Sequence, residues 1–380
     1  MFDDGSLKRK IIGIMAGQDP APFWSLASVL WAFSKFYQIA VGLNRLLFDL
    51  GLKPRRRLPC KMISVGNITV GGTGKTPMTI YLARLVQDLG FKVAVISRGY
   101  KGKAEKKGAV VSDGEKVLLT ADIAGDEPYM MAGVLPGIPV IVGRNRYTAG
   151  RLAIKQFKTE VIVLDDGFQH LSLERDLNLV LVDSLQPWGN GHLLPRGPLR
   201  ETPGALKRAD SVICMAPEQD IAKKTLDTRG KTNFGKYDKL LQKKPCFDAI
   251  KSAQVEKVIT AGSDVEVGAS FADLNALKGR RVVVFSGLAN NEAFIRTVSE
   301  AGCELVHSLS FDDHHRYEGA DINKIVQAVT KKKADLLVTT AKDYARNLES
   351  QQWPVDLIVL TLEVVFVDKP AFGEYIRQSL

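Results

Sequence analysis

The sequence has few of the residues that build cysteine-based sites. Its four cysteines, Cys60, Cys214, Cys246 and Cys303, are scattered and include no CxxC pair. This spacing indicates neither a zinc site nor a disulfide framework, and it suits a reducing compartment. Glycine (33 residues) and proline (16) are also too few, beside 45% hydrophobic residues, for a collagen-like or mostly disordered chain.

Acidic residues are in deficit. The chain has 42 Asp and Glu against 52 Lys and Arg, which gives a formal net charge of +10. Such a balance favours anionic partners, which could be nucleic acid, acidic lipid headgroups or a phosphorylated substrate. The length of 380 residues predicts about two domains.

One long apolar segment covers residues 22–50. As a helix it would extend about 43 Å, long enough to cross a bilayer. Polar residues spaced three or four apart draw a narrow stripe along it, and basic residues at 8–10 and 53–61 flank it. This pattern favours a helix lying in the interface of an anionic, cytoplasmic membrane leaflet. A membrane span and a helix packed on the protein's own core are the alternatives.

A glycine-rich loop is the most informative motif. It follows the apolar run 61–65 and precedes a helical pattern that ends near Leu89, the context that a phosphate-binding P-loop requires. The loop residues predicted to bind ATP are Gly71, Gly72, Thr73, Gly74, Lys75 and Thr76. Lys75 would reach the β- and γ-phosphates, and Thr76 would bind Mg²⁺. Thr69 stands where the strict GxxxxGK[ST] pattern has glycine.

Two acidic pairs lie at element boundaries. Asp165 and Asp166 follow the apolar run 161–164, which favours a metal or phosphate role beside a P-loop over a simple turn. Asp126 and Glu127 stand at the start of a helical run, where Asp126 could equally be a structural N-cap.

The order of apolar runs predicts the fold class. Short β-branched runs alternate with helical patterns from residue 61 to 215 and again from 281 to 360, which indicates parallel sheets covered by helices. We therefore predict an α/β protein with a P-loop NTPase-type parallel sheet and a smaller α/β lobe. The predicted divisions are a membrane-associated helical region (1–50), a P-loop lobe (51–235), a β-ribbon linker (236–277) and a second lobe (278–380).

Several motifs together resemble the tetraacyldisaccharide 4′-kinase family of lipid A biosynthesis. They occur in the family's order and cover most of the chain, and DDGFQH and GPLRE are the most specific to the family. The matching stretches are VGNITVGGTGKTP (65–77), SRGY (97–100), GDEP (125–128), DDGFQH (165–170), LPRGPLRE (194–201), FSGLAN (285–290) and FDDHH (311–315).

The resemblance implies transfer of the ATP γ-phosphoryl group to the 4′-hydroxyl of the tetraacylated disaccharide 1-phosphate precursor of lipid A. It places the reaction at the cytoplasmic face of the inner membrane. A nucleic-acid-dependent ATPase would fit the charge of +10, but we expect no nucleic-acid partner, because the positive charge is conspicuous around the apolar segment and no aromatic-interleaved recognition module is present. The resemblance also implies an Asp126 and His314 base, and lobe closure would be needed to bring these two together. The other polar residues implied around phosphate and Mg²⁺ are Glu127, Asp165, Asp166, Gln169, His170, Arg200 and Glu201, of which Glu127, Asp165, Asp166 and Glu201 join Thr76 as candidate metal ligands.

The chain departs from the family pattern at two places. Ala341 stands where the family commonly has glutamate, and Arg196 replaces a small residue and would add a charge near the site.

The alternative function is a membrane-associated P-loop ATPase switch of the partitioning or targeting type. Such switches usually carry a lysine directly before the paired glycines of the loop, and this chain has Val70 there.

Overall fold

The computed structural model describes most of the chain. The described residues are 4–17, 25–216, 234–262, 266–268, 274–288, 291–313, 315–349 and 351–380. Its α-helices are α1 (Asp4–Met15), α2 (Leu26–Asp49), α3 (Lys75–Asp88), α4 (Ala121–Ala124), α5 (Asp126–Val134), α6 (Arg146–Phe157), α7 (Asp238–Leu241), α8 (Asn291–Glu300), α9 (Gly319–Lys332), α10 (Ala341–Tyr344) and α11 (Lys369–Ser379). Short 3₁₀ helices cover Pro203–Arg208, Gly235–Tyr237 and Leu274–Leu277.

One twisted sheet runs through the described part of the chain. Its strands are β1 (Lys61–Asn67), β2 (Val93–Ser97), β3 (Ala109–Ser112), β4 (Val140–Val142), β5 (Val161–Leu164), β6 (Leu177–Asp183), β7 (Ser211–Ala216), β8 (Cys246–Ile259), β9 (Glu266–Gly268), β10 (Arg281–Ser286), β11 (Glu304–Ser310), β12 (Leu336–Thr340) and β13 (Asp356–Phe366). Their order is β11-β10-β12-β13-β8-β7-β6-β1-β5-β2-β4-β3, and β9 pairs with β8.

Most neighbouring strands are parallel. The strand β1 lies between β5 and β6, and its residues from Met62 to Asn67 are buried, as are all residues of β2 and β5. Strands buried on both faces are expected to be continuous apolar runs, as this sequence shows. Because the carboxyl ends of parallel strands lie at one edge, the loops after β1, β2 and β5 meet there.

A long antiparallel pair joins the two halves of the sheet. The strand β8 pairs in parallel with β7 through residues 246–250, and with β13 in the antiparallel sense along most of its length. The sequence predicted a β-ribbon linker over residues 236–277, and β8 within it is one strand of 14 residues. Its alternation of small, charged and apolar residues hides that continuity.

The end of the chain returns to the first half. Phe366 at the end of β13 and Phe372 in α11 stack with ring centroids 3.9 Å apart and join the core beneath β1 and α3. A separate core lies in the second half around Phe285, Ile325 and Leu337. The predicted divisions at 50/51, 235/236 and 277/278 stay predictions. One sheet contains strands from both sides of the last two divisions.

The helix α2 contacts the rest of the protein along one narrow face. Ala27, Leu30 and Ser34 are its buried residues, and Ala27 and Leu30 pack against Ile14 of α1. Its other faces leave large apolar side chains exposed. The helix has 24 residues and contains an 18-residue stretch with a mean hydropathy of 1.3, of which 17% is buried, so by length and composition it could span a membrane.

The sequence-based fold class is confirmed. The apolar runs 61–65 and 161–164 and the helix end near Leu89 lie within two residues of the bounds of β1, β5 and α3, and an apolar N-terminal helix is present. Residues 22–24 of the predicted apolar segment lie outside the described residues. Arg196, which was expected to add a charge near the site, donates from its guanidinium to the Ile14 carbonyl at 2.8 Å, and Asn190 donates to the same carbonyl at 3.1 Å, so both tie α1 to residues 190–196.

Candidate active site

The glycine-rich loop joins β1 to the first turn of α3. Gly71 and Gly74 adopt φ angles of 112° and 92°, which side chains with a Cβ rarely reach. The Asn67 amide donates to the Thr73 hydroxyl at 2.7 Å and braces the loop across its base. The helix α3 begins at Lys75, so its N-terminal N–H groups and partial positive charge face the loop.

Neighbouring segments hold the loop from outside. Val70 donates its N–H to the Pro198 carbonyl, and Arg200 donates its N–H to the Ile68 carbonyl, both at 2.7 Å. A Cβ on Gly66 would lie 2.5 Å from the Phe168 Cβ, so only glycine fits where β1 passes the segment after β5. The GPLRE and DDGFQH stretches therefore both pack directly on the phosphate-binding loop.

Lys75 is the central charge of the site. Burial lowers the pKa of its ammonium, Arg200 acts in the same direction, and the charges of Asp166, Asp165 and Glu127 oppose that shift. The structure thus brings the predicted loop lysine together with three of the predicted carboxylates.

Asp165 is the most deeply placed of these carboxylates. It is 3% exposed and accepts hydrogen bonds from the hydroxyl of Ser97, at the end of β2, at 2.9 Å and from that of Thr79, on α3, at 3.3 Å. Burial, followed by the charges of Glu127 and Asp166, raises its pKa well above the ordinary range. The ionised form therefore needs additional positive charge.

A chain of polar contacts links Asp166 to Glu201. The Arg200 guanidinium donates to both oxygens of Asp166 at 2.8 and 2.9 Å. Gln169 donates to Glu201 at 3.1 Å, and Arg208 donates to both oxygens of Glu201 at 2.8 and 2.9 Å. The Arg208 guanidinium also lies 4.5 Å from the centre of the Phe168 ring. Glu201, predicted as a metal ligand, thus has its oxygens committed to protein donors.

His170 lies on the same segment. Its Nε2 is 3.2 Å from the Ser172 hydroxyl, and burial lowers its pKa to about 4, with the charges of Arg146 and Arg175 adding to the shift. The imidazole is therefore neutral near pH 7, and it supports the segment without adding charge to the site.

Asp126 is bound from the second half of the protein. The helix α5 begins at Asp126 itself, after Gly125, so Asp126 is not the N-cap residue that the sequence left possible. Its carboxylate accepts from Arg346 at 2.8 Å, and that buried guanidinium also donates to Asp343 at 3.0 Å and to the Gly287 carbonyl at 2.8 Å. Glu127 lies 3.6 Å from the Lys342 ammonium.

His314 lies outside the described residues. Its neighbours do approach the Asp126 cluster, since a Cβ on Gly287 would lie 2.9 Å from the Asp312 carbonyl oxygen and 3.1 Å from the His315 Cβ. His315 itself pairs with Asp321 at 2.9 Å. The loop that carries the predicted histidine therefore packs on Gly287, whose carbonyl and N–H contact the same Arg346 and Asp343 groups.

Sequence reasoning missed several residues that position the predicted ones. Arg346, Arg208 and Thr79 contact site carboxylates but lie outside the motifs of the sequence. Ser97 also contacts a site carboxylate and lies within the SRGY stretch, so it alone of the four had a sequence signal. Among the described residues, no group of three or more His, Cys, Asp or Glu side chains could enclose a metal ion by itself.

The loop, its lysine and the carboxylates at the sheet edge define a P-loop nucleotide-binding protein. A family model described as "Tetraacyldisaccharide-1-P 4'-kinase" matches residues 26–380. The chain belongs to this family.

Individual relatives agree over nearly the whole length. A protein of Syntrophus aciditrophicus named tetraacyldisaccharide 4′-kinase is 40% identical to this chain, and the match covers 96% of this chain and 95% of that protein. A protein of the same name from Desulfatibacillum aliphaticivorans is 39% identical, and the match covers 99% of this chain and 98% of that protein. A crystal structure of the Aquifex aeolicus family member, an "apo" form in complex with ATP, superposes with a TM-score of 0.70 at 30% identity, over 93% of this chain and 99% of that one.

The low pKa of His170 predicts a pH dependence of stability. Unfolding returns the pKa from about 4 toward 6.5, so the unfolded chain binds this proton more readily. The contribution of the neutral His170 imidazole to the free energy of unfolding is complete above pH 6.5 and is lost as the pH falls toward 4. Urea unfolding of wild-type protein and of His170→Gln across this range should show a shallower pH slope in the variant. Equal slopes would contradict a neutral, buried imidazole.

Proposed function

We propose that this protein transfers the γ-phosphoryl group of ATP to the 4′-hydroxyl of a tetraacylated disaccharide 1-phosphate, a precursor of lipid A. The observation that carries the proposal is the half-buried Lys75 ammonium at the N-terminus of α3, which is influenced by the charges of Asp165, Asp166 and Glu127. Membership in the family and the ATP complex of the Aquifex aeolicus relative support ATP as the phosphoryl donor.

The residues present fit a magnesium ion bound together with nucleotide. Mg²⁺ usually takes one or two carboxylates, with phosphate oxygens and waters completing its octahedron, and needs no closed protein cage. Thr76 and Asp165 are the ligands we assign. Asp165 is a buried carboxylate whose pKa is raised, so its ionised form lacks enough positive charge nearby, and a metal ion would supply that charge. Asp166 and Glu127 would lie close by, while Glu201 would position Gln169. When bound, Mg²⁺ supplies positive charge against the phosphate oxygens.

The protein's own cations stabilise the transferring group. In phosphoryl transfer the equatorial oxygens carry the developing charge, and positioned cations lower its energy. Lys75 contacts the terminal phosphates in this scheme. Arg200, held on Asp166 by two hydrogen bonds, is the second cation at the same loop. The loop glycines bring backbone N–H groups to the phosphates without side chains in the way.

Asp126 serves as the base for the acceptor hydroxyl. Arg346 fixes the carboxylate through one oxygen, at 2.8 Å from Oδ2, and so orients it. The hydroxyl proton passes to Asp126 as the sugar oxygen attacks phosphorus in line with the leaving ADP oxygen. His314 assists this proton transfer, and the packing of its neighbours on Gly287 supports that assignment.

Removal of the loop lysine tests the phosphoryl transfer. Lys75→Ala should lower kcat by about 10²–10³ or more, because it removes preorganised positive charge from the transferring phosphoryl group. The assay measures 4′-phosphorylation of the disaccharide monophosphate in detergent micelles with Mg-ATP. Lys155→Ala, which alters an exposed lysine of α6, is the matched control and should retain wild-type turnover.

The same assay separates the kinase from an ATPase switch. If wild-type protein hydrolyses ATP but transfers no phosphate to the disaccharide, the kinase proposal is wrong and the switch takes its place. Unchanged kcat in Lys75→Ala would refute the assignment of the loop.

Asp126→Asn tests the base. The amide keeps the size of the side chain and can still accept a bond from Arg346, but it accepts a proton poorly, so kcat should fall by about 10²–10⁴. The ATP dissociation constant should stay near that of the wild type. Arg280→Gln is a suitable control, since its ion pair with Asp335 is 3.9 Å long and 53% and 44% exposed. A variant that lost only thermal stability would assign Asp126 a structural role.

The helix α2 supports a membrane location for the reaction. Its exposed apolar side chains include Phe33 (59% exposed), Phe36 (71%) and Ile39 (66%). Contact of these side chains with water is unfavourable, and burial in lipid would remove that free-energy cost. Arg55 and Arg56 follow the helix and can face anionic headgroups. We propose that α2 holds the protein on the cytoplasmic leaflet of the inner membrane, by lying in the interface or by spanning it.

Polar substitution on α2 tests this attachment. The triple variant Phe33→Ser, Phe36→Ser, Ile39→Ser should sediment with phosphatidylglycerol-containing vesicles far less than the wild type does. The control replaces three exposed apolar residues elsewhere, Leu118, Leu362 and Val367, with serine and should bind as the wild type does. Equal sedimentation of the two variants would show that another surface binds the membrane.

A further inference from the structure

A lysine far from the P-loop in sequence reaches the loop in the structure. The strand β8 pairs in parallel with β7 up to Ile250, which lies opposite Ala216, the last residue of β7. Lys251 is the next residue of β8. It therefore stands at the carboxyl edge of the parallel strands, where β1 delivers the phosphate-binding loop.

Lys251 contacts the loop directly. Its Nζ donates to the Gly72 carbonyl at 2.5 Å, across 179 residues of sequence. A Cβ on Gly74 would lie 3.1 Å from the Lys251 Cε and 3.5 Å from the Met215 Cε, so the lysine stem runs along the loop backbone. The side chain is half-buried, and it covers the side of the loop that faces β7 and β8.

The positive charge of Lys251 is not fully balanced by the charges around it. Burial lowers the pKa of its ammonium, Lys75 lowers it further, and Asp183 opposes both. Asp183 is already bound through Oδ1 to the N–H groups of Leu185 and Gln186. Two ammonium groups thus face one loop, an arrangement that a polyanion placed between them would stabilise.

We propose that Lys251 is a second phosphate-binding lysine of this protein, which holds the Gly72 carbonyl with one N–H and donates the others to the terminal phosphates of ATP. An ammonium has three donors, so the bond to Gly72 leaves two for phosphate oxygens. This inference rests on the proposed function and adds to it a residue outside the loop motif. Nothing local marks Lys251 in the sequence, where AIKSAQ resembles any strand with one exposed lysine.

A purely structural lysine is the competing explanation. In that case Lys251 would fasten the loop to β8, and its loss would lower stability without selective weakening of nucleotide binding. The two roles differ in whether ATP touches the ammonium, which amine labelling of the unmodified protein reports.

Chemical labelling tests the role of Lys251 in the wild-type protein, so the result does not depend on whether a variant folds. With an amine-acylating reagent and mass spectrometry, Mg-ATP should protect Lys251 and Lys75 but leave Lys257, six residues further along β8, as reactive as before. Protection of Lys75 without Lys251 would overturn the inference and leave the proposed function intact. No protection of Lys75 would overturn the nucleotide assignment of the proposed function and this inference with it.

Variants give the size of the effect. Lys251→Met should raise the dissociation constant for ATP at least about tenfold, as expected when a charged hydrogen bond is lost, and leave that for AMP unchanged. Lys251→Arg, which keeps the charge, should recover most of the affinity, and the control Lys257→Met should bind ATP as the wild type does. Wild-type ATP affinity in Lys251→Met, with or without a lower melting temperature, would refute the inference.

Discussion

The half-buried Lys75 ammonium is the constraint on which the rest of the site depends. A charge that is partly removed from water needs opposite charge beside it, and Asp165, Asp166 and Glu127 supply that charge. Each carboxylate then needs donors of its own. Ser97 and Thr79 serve Asp165, Arg200 serves Asp166, and Lys342 approaches Glu127. The polar ring around the loop follows step by step from this one half-buried cation.

The sheet makes this arrangement possible. Parallel strands bring the segments after β1, β2 and β5 to one edge, so residues from 75 to 166 meet there without long loops. The antiparallel pair of β8 and β13 then continues the same sheet into the second half, which returns Arg346 and Lys342 to the first. Arg346 is 2% exposed as a side chain and binds Asp126, Asp343 and the Gly287 carbonyl. It ties the proposed base to the loop that carries His314.

Local pattern predicted the elements and the chemistry that follow from them. The strand β1, the loop and α3 form one contiguous run, so period and glycine content sufficed. The pairs that position the site join residues far apart in sequence: 220 residues separate Asp126 from Arg346, and 179 separate Gly72 from Lys251. In the sequence, neither Lys251 nor Arg346 can be distinguished from a solvated surface residue. Only the order of strands in the sheet, which periodicity does not encode, decides such contacts.

The apolar helix and the phosphate site are also joined. The Tyr37 hydroxyl on α2 donates to the Arg200 carbonyl at 3.1 Å, and the Arg200 side chain holds Asp166. Burial raises the pKa of Tyr37, so the phenol keeps its proton and its role as donor. Through this bond, α2 lies next to the segment that holds Asp166. In the proposed function, the sugar hydroxyl would be phosphorylated while the acyl chains of the substrate stay in contact with the apolar surface of α2, which would avoid the cost of exposing them to water.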